Sequence, residues 1–131
     1  MKRIINVTVF YIFIFVSFFS SLYVVKANTI HSINMDIYID DNGNANVVEI
    51  WETTSNQGTE GFRSYTDLES SNISNFRVID ETGREYERLA NWNTNASFSA
   101  KAYKNGINHV YNGVELCWGI SEYGKNIYLK I

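Results

Sequence analysis

In the stretch INMDIYIDDNGNANVVEIWET, residues 33–53, apolar and polar side chains alternate on either side of an Asn-Gly pair. Such alternation is typical of β-strands that bury one face. The apolar face of the first strand has four members: Ile33, Met35, Ile37 and Ile39. Gly43 supplies the positive φ angle that a tight hairpin turn requires. In the return strand, Ala45 to Thr53, Glu49 and Trp51 share one face, so both are expected to have structural roles.

The rest of the chain also reads as short strands separated by turns. Further strands are predicted at 73–80, 85–89, 96–103, 110–120 and 126–131, and turns at 81–84, 104–106 and 121–125. The connection from Thr54 to Asn72 holds either a short strand, Phe62 to Leu68, or one turn of helix. No segment has a sustained helical period. Turns spaced about every 8–12 residues are typical of a sandwich, and we predict an all-β, antiparallel immunoglobulin-like β-sandwich.

The first 27 residues have the layout of an export signal. Lys2 and Arg3 precede Ile4 to Val25, a run of 22 residues of which 17 are apolar or Tyr and none is charged, and the run closes on Val25-Lys-Ala27. This layout is typical of a secretory signal peptide. A span near 20 residues is equally long enough for an uncleaved membrane anchor. In either case an apolar N-terminal helix, residues 1–27, is expected to direct the body out of the cytoplasm.

Residues 28–131 form the predicted extracytoplasmic domain. This length suits one small domain. The segment holds eight basic and fourteen acidic residues, a net charge of −6, which argues against binding of nucleic acid or of anionic lipid. Cys117 is the single cysteine of the chain. No internal disulfide is therefore available, and stability must come from a packed core or a partner.

Five fragments, taken in order, resemble one known family. They are IYIDDNGN at 37–44, VEIWE at 48–52, GFR at 61–63, FRVID at 76–80 and GVELCWG at 113–119, with Tyr123-Gly124 after them. Together they are similar to the extracellular N-terminal region of predicted bacterial membrane proteins of the domain-of-unknown-function family 2207. The resemblance spans nearly all of 28–131. It implies a β-rich extracellular domain behind a signal segment, with transmembrane helices later in the chain, and it brings no assigned activity.

The chain departs from that family pattern at its end. It stops at Ile131, inside the last predicted strand, before the later strands and membrane helices that the resemblance implies. We therefore expect a truncated member with an incomplete sandwich. An incomplete sandwich leaves an open sheet edge and an exposed apolar face, which invite pairing or aggregation.

The acidic residues of the first hairpin do not form a recognisable metal or catalytic motif. Asp40, Asn42 and Asn44 have the spacing of the first calcium-loop ligands, but Ala45 and Trp51 stand where an EF-hand requires Gly and Glu. A plain hairpin turn is predicted instead.

Glu49 is expected to be structural. Glu49 and Glu52 are three residues apart in one strand, so they point to opposite faces and cannot serve as a glycosidase pair. Because Glu49 shares a face with the core residue Trp51, we expect it to be partly buried. It then requires a salt-bridge partner, for which Arg63 and Arg77 are the candidates.

His31 and His109 have no further ligands at zinc spacing, so no metal site is predicted. Cys117 lies between Leu116 and Trp118 in an alternating strand, and a buried, unreactive thiol is expected. We predict no catalytic residue and no cofactor.

The aromatic residues give one functional hint, because aromatic rings stack on sugars as well as filling β-sheet cores. Trp51 and Trp118 lie within predicted strands and are assigned to the core. Trp92 lies in the polar segment 91–95, where it is either a supporting residue or an exposed sugar platform. Trp92 is therefore one candidate binding residue. Arg63, in the predicted connection between Thr54 and Leu68, is the other.

The leading hypothesis is a non-enzymatic extracytoplasmic domain of a predicted membrane protein, with a scaffold or interaction role. It would present the loops Thr54–Leu68 and Leu89–Asn95 to a wall, membrane or protein partner. The alternative is a secreted carbohydrate-binding module that uses Trp92. A hydrolase is a third class, which requires catalytic groups beyond residue 131.

Overall fold

The computed structural model describes residues 26–130, so the predicted signal peptide or membrane anchor lies almost entirely outside the described residues. Within this range the chain forms eight β-strands and one short helix. They are β1 (Thr29–Ile39), β2 (Ala45–Thr54), β3 (Glu60–Thr66), β4 (Ile79–Asp80), β5 (Glu87–Arg88), α1 (Phe98–Lys101), β6 (Lys104–Val110), β7 (Gly113–Gly119) and β8 (Asn126–Lys130).

The strands form two four-stranded sheets. Sheet A has the order β1-β2-β8-β4, and sheet B has the order β3-β7-β6-β5. The pairings are antiparallel except for the two-residue contact of β5 with β6, which is parallel. An all-β sandwich was predicted, and this architecture confirms it. The last strand, β8, lies between β2 and β4 in sheet A and is not an edge strand.

The first hairpin forms where the sequence predicts it. The Asp40 N–H donates to the Asn44 carbonyl at 2.9 Å, and the Gly43 N–H donates to the Asp40 carbonyl at 3.0 Å. Gly43 has a φ of 82°, a conformation that costs a residue with a Cβ free energy. The Asp40 carboxylate accepts hydrogen bonds from the side chain and backbone of Asn44 and from the Asn42 N–H, which lower the pKa of Asp40. The turn is therefore held by its own residues.

A second turn repeats this arrangement between β4 and β5. The Asp80 N–H donates to the Arg84 carbonyl at 3.0 Å, and the Gly83 N–H donates to the Asp80 carbonyl at 2.9 Å. Partial burial alone would raise the pKa of Asp80. Hydrogen bonds from Thr82 and from the Arg84 N–H outweigh that effect, so the pKa lies below its usual value. The sequence pattern Asp-x-x-Gly thus specifies both turns.

The core lies between the two sheets. Its buried members are Trp51, Phe76, Val78, Tyr86, Leu116, Trp118 and Leu129. Trp51 of sheet A and Trp118 of sheet B meet edge to face, with ring centroids 5.3 Å apart, a favoured aromatic geometry. Both were predicted as core residues, which the structure confirms. Gly61 lies opposite Trp118 in the β3–β7 register, and a Cβ there would lie 2.7 Å from the indole.

Several local predictions were wrong. The segment 96–103 contains α1 instead of a strand, because the Ser97 hydroxyl accepts the Ala100 N–H at 3.3 Å and caps the helix. Residues 104–106 begin β6 and do not form a turn. The predicted strand 110–120 is interrupted at Tyr111-Asn112, so that β6 and β7 form a hairpin.

The segment 73–80 forms ladder pairs only at its end, as β4. Phe76 and Val78 are nevertheless buried in the core. In contrast, β3 confirms the strand alternative for the 54–72 connection, although it begins and ends two residues earlier than predicted.

Candidate interaction surface

The apolar face of β1 is exposed although it points to the core side of sheet A. In the β1–β2 register Ile33 lies opposite Trp51 and Met35 lies opposite Glu49. Directly opposite residues of an antiparallel pair share a face, and Trp51 and Glu49 are both buried. The side chains of β1 are 39% exposed at Ile33, 40% at Met35, 58% at Ile37 and 66% at Ile39.

We call these four residues, together with Val47 opposite Ile37, the apolar strip. The prediction that β1 buries one face was wrong. Its main packing contact is with β2, and no β1 residue belongs to the core cluster. The alternation in β1 correctly groups the apolar side chains on one face. No other element in the described part of the chain covers that face. Contiguous exposed apolar residues of this kind mark interaction surfaces in soluble domains.

The strip lies on the longest sheet edge in the described range. β1 has eleven residues and is hydrogen-bonded on one side only. Two of the other three edges, β4 and β5, have two residues each. The third, β3, carries the inward-facing Arg63. Short edges and inward charges are devices that prevent edge-to-edge pairing. β1 contains no Lys, Arg, Pro or Gly, and its single acid, Asp36, lies on the opposite face from the strip.

A buried polar cluster adjoins the strip between the two sheets. Glu49 is 1% exposed, and its carboxylate accepts the Trp51 Nε1–H at 2.6 Å and the Tyr65 hydroxyl at 3.2 Å. The Arg63 Nε lies 3.5 Å from Glu49 Oε1, an ion pair without hydrogen-bond geometry. The prediction of a buried Glu49 with an arginine partner is confirmed, and Arg63 supplies it. Arg63 lies on β3, not in a binding loop.

Glu52 lies on the outer face of sheet A, as the sequence predicts. Its carboxylate accepts hydrogen bonds from the Ser32 hydroxyl at 3.3 Å and the Tyr128 hydroxyl at 3.0 Å. Glu49 and Glu52 therefore lie on opposite faces of one sheet and do not flank a common site.

Trp92 is buried, which confirms the supporting role and contradicts the alternative of an exposed sugar platform. Its ring is 8% exposed, and its Nε1–H donates to Glu60 Oε2 at 2.7 Å. The indole lies on Gly106 of β6, where a Cβ would lie 2.9 Å from the ring. The physical reason is that the polar segment around Trp92 folds back over the outer face of sheet B. Neither ring face is free for a sugar, so the residue-level basis for a carbohydrate site is lost.

A second buried ionic cluster surrounds Trp92, and sequence reasoning missed it. The Lys101 side chain is 1% exposed, and its ammonium lies 2.7 Å from Glu60 Oε2. The same ammonium donates to Thr59 Oγ1 at 2.9 Å and to the Thr94 carbonyl at 2.6 Å. All three N–H donors of Lys101 are thus used. The sequence pattern gives no signal for this burial, because Lys101 shares the polar positions of the 96–103 alternation with Ser97 and Ser99.

Cys117 is buried at 1% exposure, as predicted. Burial is the main cause that raises the pKa of its thiol to about 12, and the nearby carboxylates of Glu60 and Glu115 add to it. A thiol with that pKa holds almost no thiolate at neutral pH, so it cannot act as a nucleophile.

Among the described residues, Leu68, Glu69 and residues 111–114 line a shallow, open depression of about 330 Å³. In residues 26–130 no three His, Cys, Asp or Glu side chains converge as a metal site. None of the helices in that range has the length and apolar character needed to cross a membrane.

Comparison of the chain with protein-family models, with curated proteins and with solved structures gave no match.

Proposed function

We propose that the chain is a non-enzymatic, extracytoplasmic interaction domain of a bacterial membrane protein, and that it binds its partner through the apolar strip. The observation that carries the proposal is the exposure of Ile37 and Ile39, at 58% and 66%, on the core-facing side of an otherwise packed sheet. Burial of apolar area is the main driving force of protein association. A β-strand edge beside the strip adds main-chain hydrogen bonds, as in β-strand addition.

The ionisable clusters support a scaffold role. Glu49 is held by Trp51, Tyr65 and Arg63, and Lys101 by Glu60, Thr59 and the Thr94 carbonyl. The first set lies between the two sheets, and the second lies beneath the loop that covers the outer face of sheet B. Each set holds one segment to another. Their role in this proposal is to keep the sandwich rigid behind the exposed strip.

The extracytoplasmic location rests on the layout of residues 1–27 and on the family resemblance. The immunoglobulin-like grouping is also part of the proposal. Its support is the distribution of the first four strands. β1, β2 and β4 share one sheet, as strands A, B and D do in that fold, and β3 lies in the other sheet, as strand C does. Here the last strand, β8, lies between β2 and β4.

Site-specific photocrosslinking in cells that produce the full chain tests the interaction role. A photoreactive residue replaces Ile37 in one variant and Tyr111 in the other. Tyr111 is fully exposed at the β6–β7 turn of sheet B and is not part of the strip, so it is the matched control. We expect a discrete adduct from position 37 and none from position 111. Equal adducts from both positions, or none from either, would contradict the proposal.

A polysaccharide-retention assay distinguishes the interaction role from the alternative, a carbohydrate-binding module. If cell-wall polysaccharide retains the chain and Ile37→Lys does not reduce that retention, the function lies in sugar binding and not in the strip.

A further inference from the structure

We propose that the partner of the apolar strip is a second copy of this chain, with β1 paired antiparallel to β1 of the other copy about a two-fold axis. This inference rests on the proposed function, because it names the partner of the same surface. Three observations carry it: the direction of the free backbone groups, the charges along β1, and the edges of the sandwich.

The backbone groups at the free edge of β1 belong to the residues of the strip. The Asp40 N–H donates to the Asn44 carbonyl, so this pair is a hydrogen-bonded one. In an antiparallel ladder, hydrogen-bonded and non-hydrogen-bonded pairs alternate. Ile39, Ile37, Met35 and Ile33 therefore direct their N–H and C=O groups away from β2. The residues with exposed apolar side chains are thus also those with free main-chain donors and acceptors.

The charge on β1 excludes one register. A two-fold axis perpendicular to the sheet pairs residues of the same face, so a residue at the centre lies opposite itself. A register centred on Asp36 would place two carboxylates directly opposite each other, which is destabilising. A register centred on Met35 instead places Asp36 opposite Asn34 of the other copy. It also places Ile33 opposite Ile37 and forms about six main-chain hydrogen bonds over 33–37.

The same register unites the apolar strips of the two copies. On the core-facing side, Met35 would lie against Met35 and Ile33 against Ile37, so the two strips form one continuous apolar band between the flanking B sheets. The other edges do not offer this match. β3 would bring the inward-facing Arg63 into the seam, and β4 and β5 have two residues each. β1 is therefore the edge on which a second copy fits.

Disulfide trapping tests the register. Cys117 is buried with a thiol pKa of about 12, so an added cysteine reacts without competition. In the proposed dimer the two Met35 Cα atoms are about 5.5 Å apart, within the range for a disulfide. The two Tyr38 residues lie about 20 Å apart along the strands. On mild oxidation of the purified full chain we expect Met35→Cys to give a covalent dimer and Tyr38→Cys to remain uncrosslinked.

The wild-type chain provides a readout without an added cysteine. Light scattering should give the mass of a dimer, and Ile37→Lys should at least halve the dimeric fraction, whereas Tyr111→Lys should leave it unchanged. A monomeric wild type, or equal crosslinking of Met35→Cys and Tyr38→Cys, would overturn the second copy as partner. If photocrosslinking at position 37 then gives an adduct of a different mass, the proposed function stands and only the partner changes. If it gives none, both fall.

Discussion

Glu49 shows how a buried charge is accommodated in a small sandwich. Its carboxylate has two neutral donors, Trp51 and Tyr65, in addition to the ion pair with the partly exposed Arg63. An ion pair with a partly exposed partner contributes little by itself. Loss of the acceptor would leave the buried indole N–H and the Tyr65 hydroxyl unsatisfied, which is more costly.

We therefore predict that Glu49→Ala lowers the free energy of unfolding by about 3 kcal/mol, whereas Glu49→Gln, which keeps an acceptor oxygen, lowers it by about 1 kcal/mol. Urea unfolding measures both values. Glu52→Ala is the matched control on the outer face and should cost less than about 1 kcal/mol. Equal losses of unfolding free energy for the Ala and Gln variants of Glu49 would show that its hydrogen bonds to Trp51 and Tyr65 do not contribute to stability.

Cys117 should be unreactive in the folded chain. Because burial raises the pKa of its thiol to about 12, we predict no reaction with a thiol reagent at pH 7. One equivalent should react after denaturation. Full reaction of the native chain within minutes would contradict the buried position.

The two ionic clusters differ in how far the sequence predicts them. Glu49 lies two residues before the core residue Trp51 on the same strand face, so its partial burial and its need for an arginine follow from the pattern. The partners of Lys101 come from Thr59, Glu60 and Thr94, on segments that pair or pack only after the loops close over sheet B. Local periodicity contains no information on that closure, and for the same reason it could not decide whether Trp92 is a supporting residue or an exposed platform.

At the scale of the elements, a glycine predicted a turn reliably where an aspartate precedes it by three residues, whereas Asn105-Gly106 lies within β6. Asp-x-x-Gly marks the hairpins at 40–44 and 80–84 because the aspartate carboxylate and a glycine with positive φ satisfy the turn locally. The segment 96–103 alternates in sequence, yet the Ser97 cap and the packing of α1 against β7 make it helical. A Cβ on Gly119 would lie 1.8 Å from the Lys101 carbonyl oxygen. That close contact between elements is invisible in a local pattern.

Gly106 provides a test of the packing of the Trp92 segment on sheet B. A Cβ at this position would lie 2.9 Å from the Trp92 ring, which Glu60 holds in place. We predict that Gly106→Ala costs about 1–3 kcal/mol of unfolding free energy. In a Trp92→Ala background the same change should cost much less, because the clash is gone. If the losses of unfolding free energy from Gly106→Ala and Trp92→Ala are additive, the contact between Gly106 and the Trp92 ring is contradicted.

At the scale of the whole molecule, the sequence predicted the sandwich but placed its open surface at the wrong strand. The expectation of an incomplete sheet pointed to residues 126–131. In the structure β8 is paired on both sides, and the exposed apolar face belongs to β1. Alternation identifies which side chains share a face. It does not show whether the opposite sheet reaches that face.

Export is a prediction about the whole chain. The layout of residues 1–27 leads us to expect that alkaline phosphatase fused after residue 131 is active in a bacterial host and that a cytoplasmic reporter protein is not. Replacing Lys2 and Arg3 with Glu should reduce phosphatase activity several-fold. N-terminal sequencing then separates a cleaved product that begins at Asn28 from an intact anchor. An inactive wild-type fusion would contradict the extracytoplasmic location.

The most direct test of the central claim is residue-resolved amide hydrogen exchange in the wild-type full chain. If β1 pairs with β1 of a second copy, the N–H groups of Ile33, Met35 and Ile37 should be protected to a similar degree as those of Asn34 and Asp36. That protection should fall when the chain is diluted. Exchange of the Ile33, Met35 and Ile37 amides at the rate of exposed loops, at every concentration, would contradict the pairing of two copies and leave β1 as a free edge in the chain on its own.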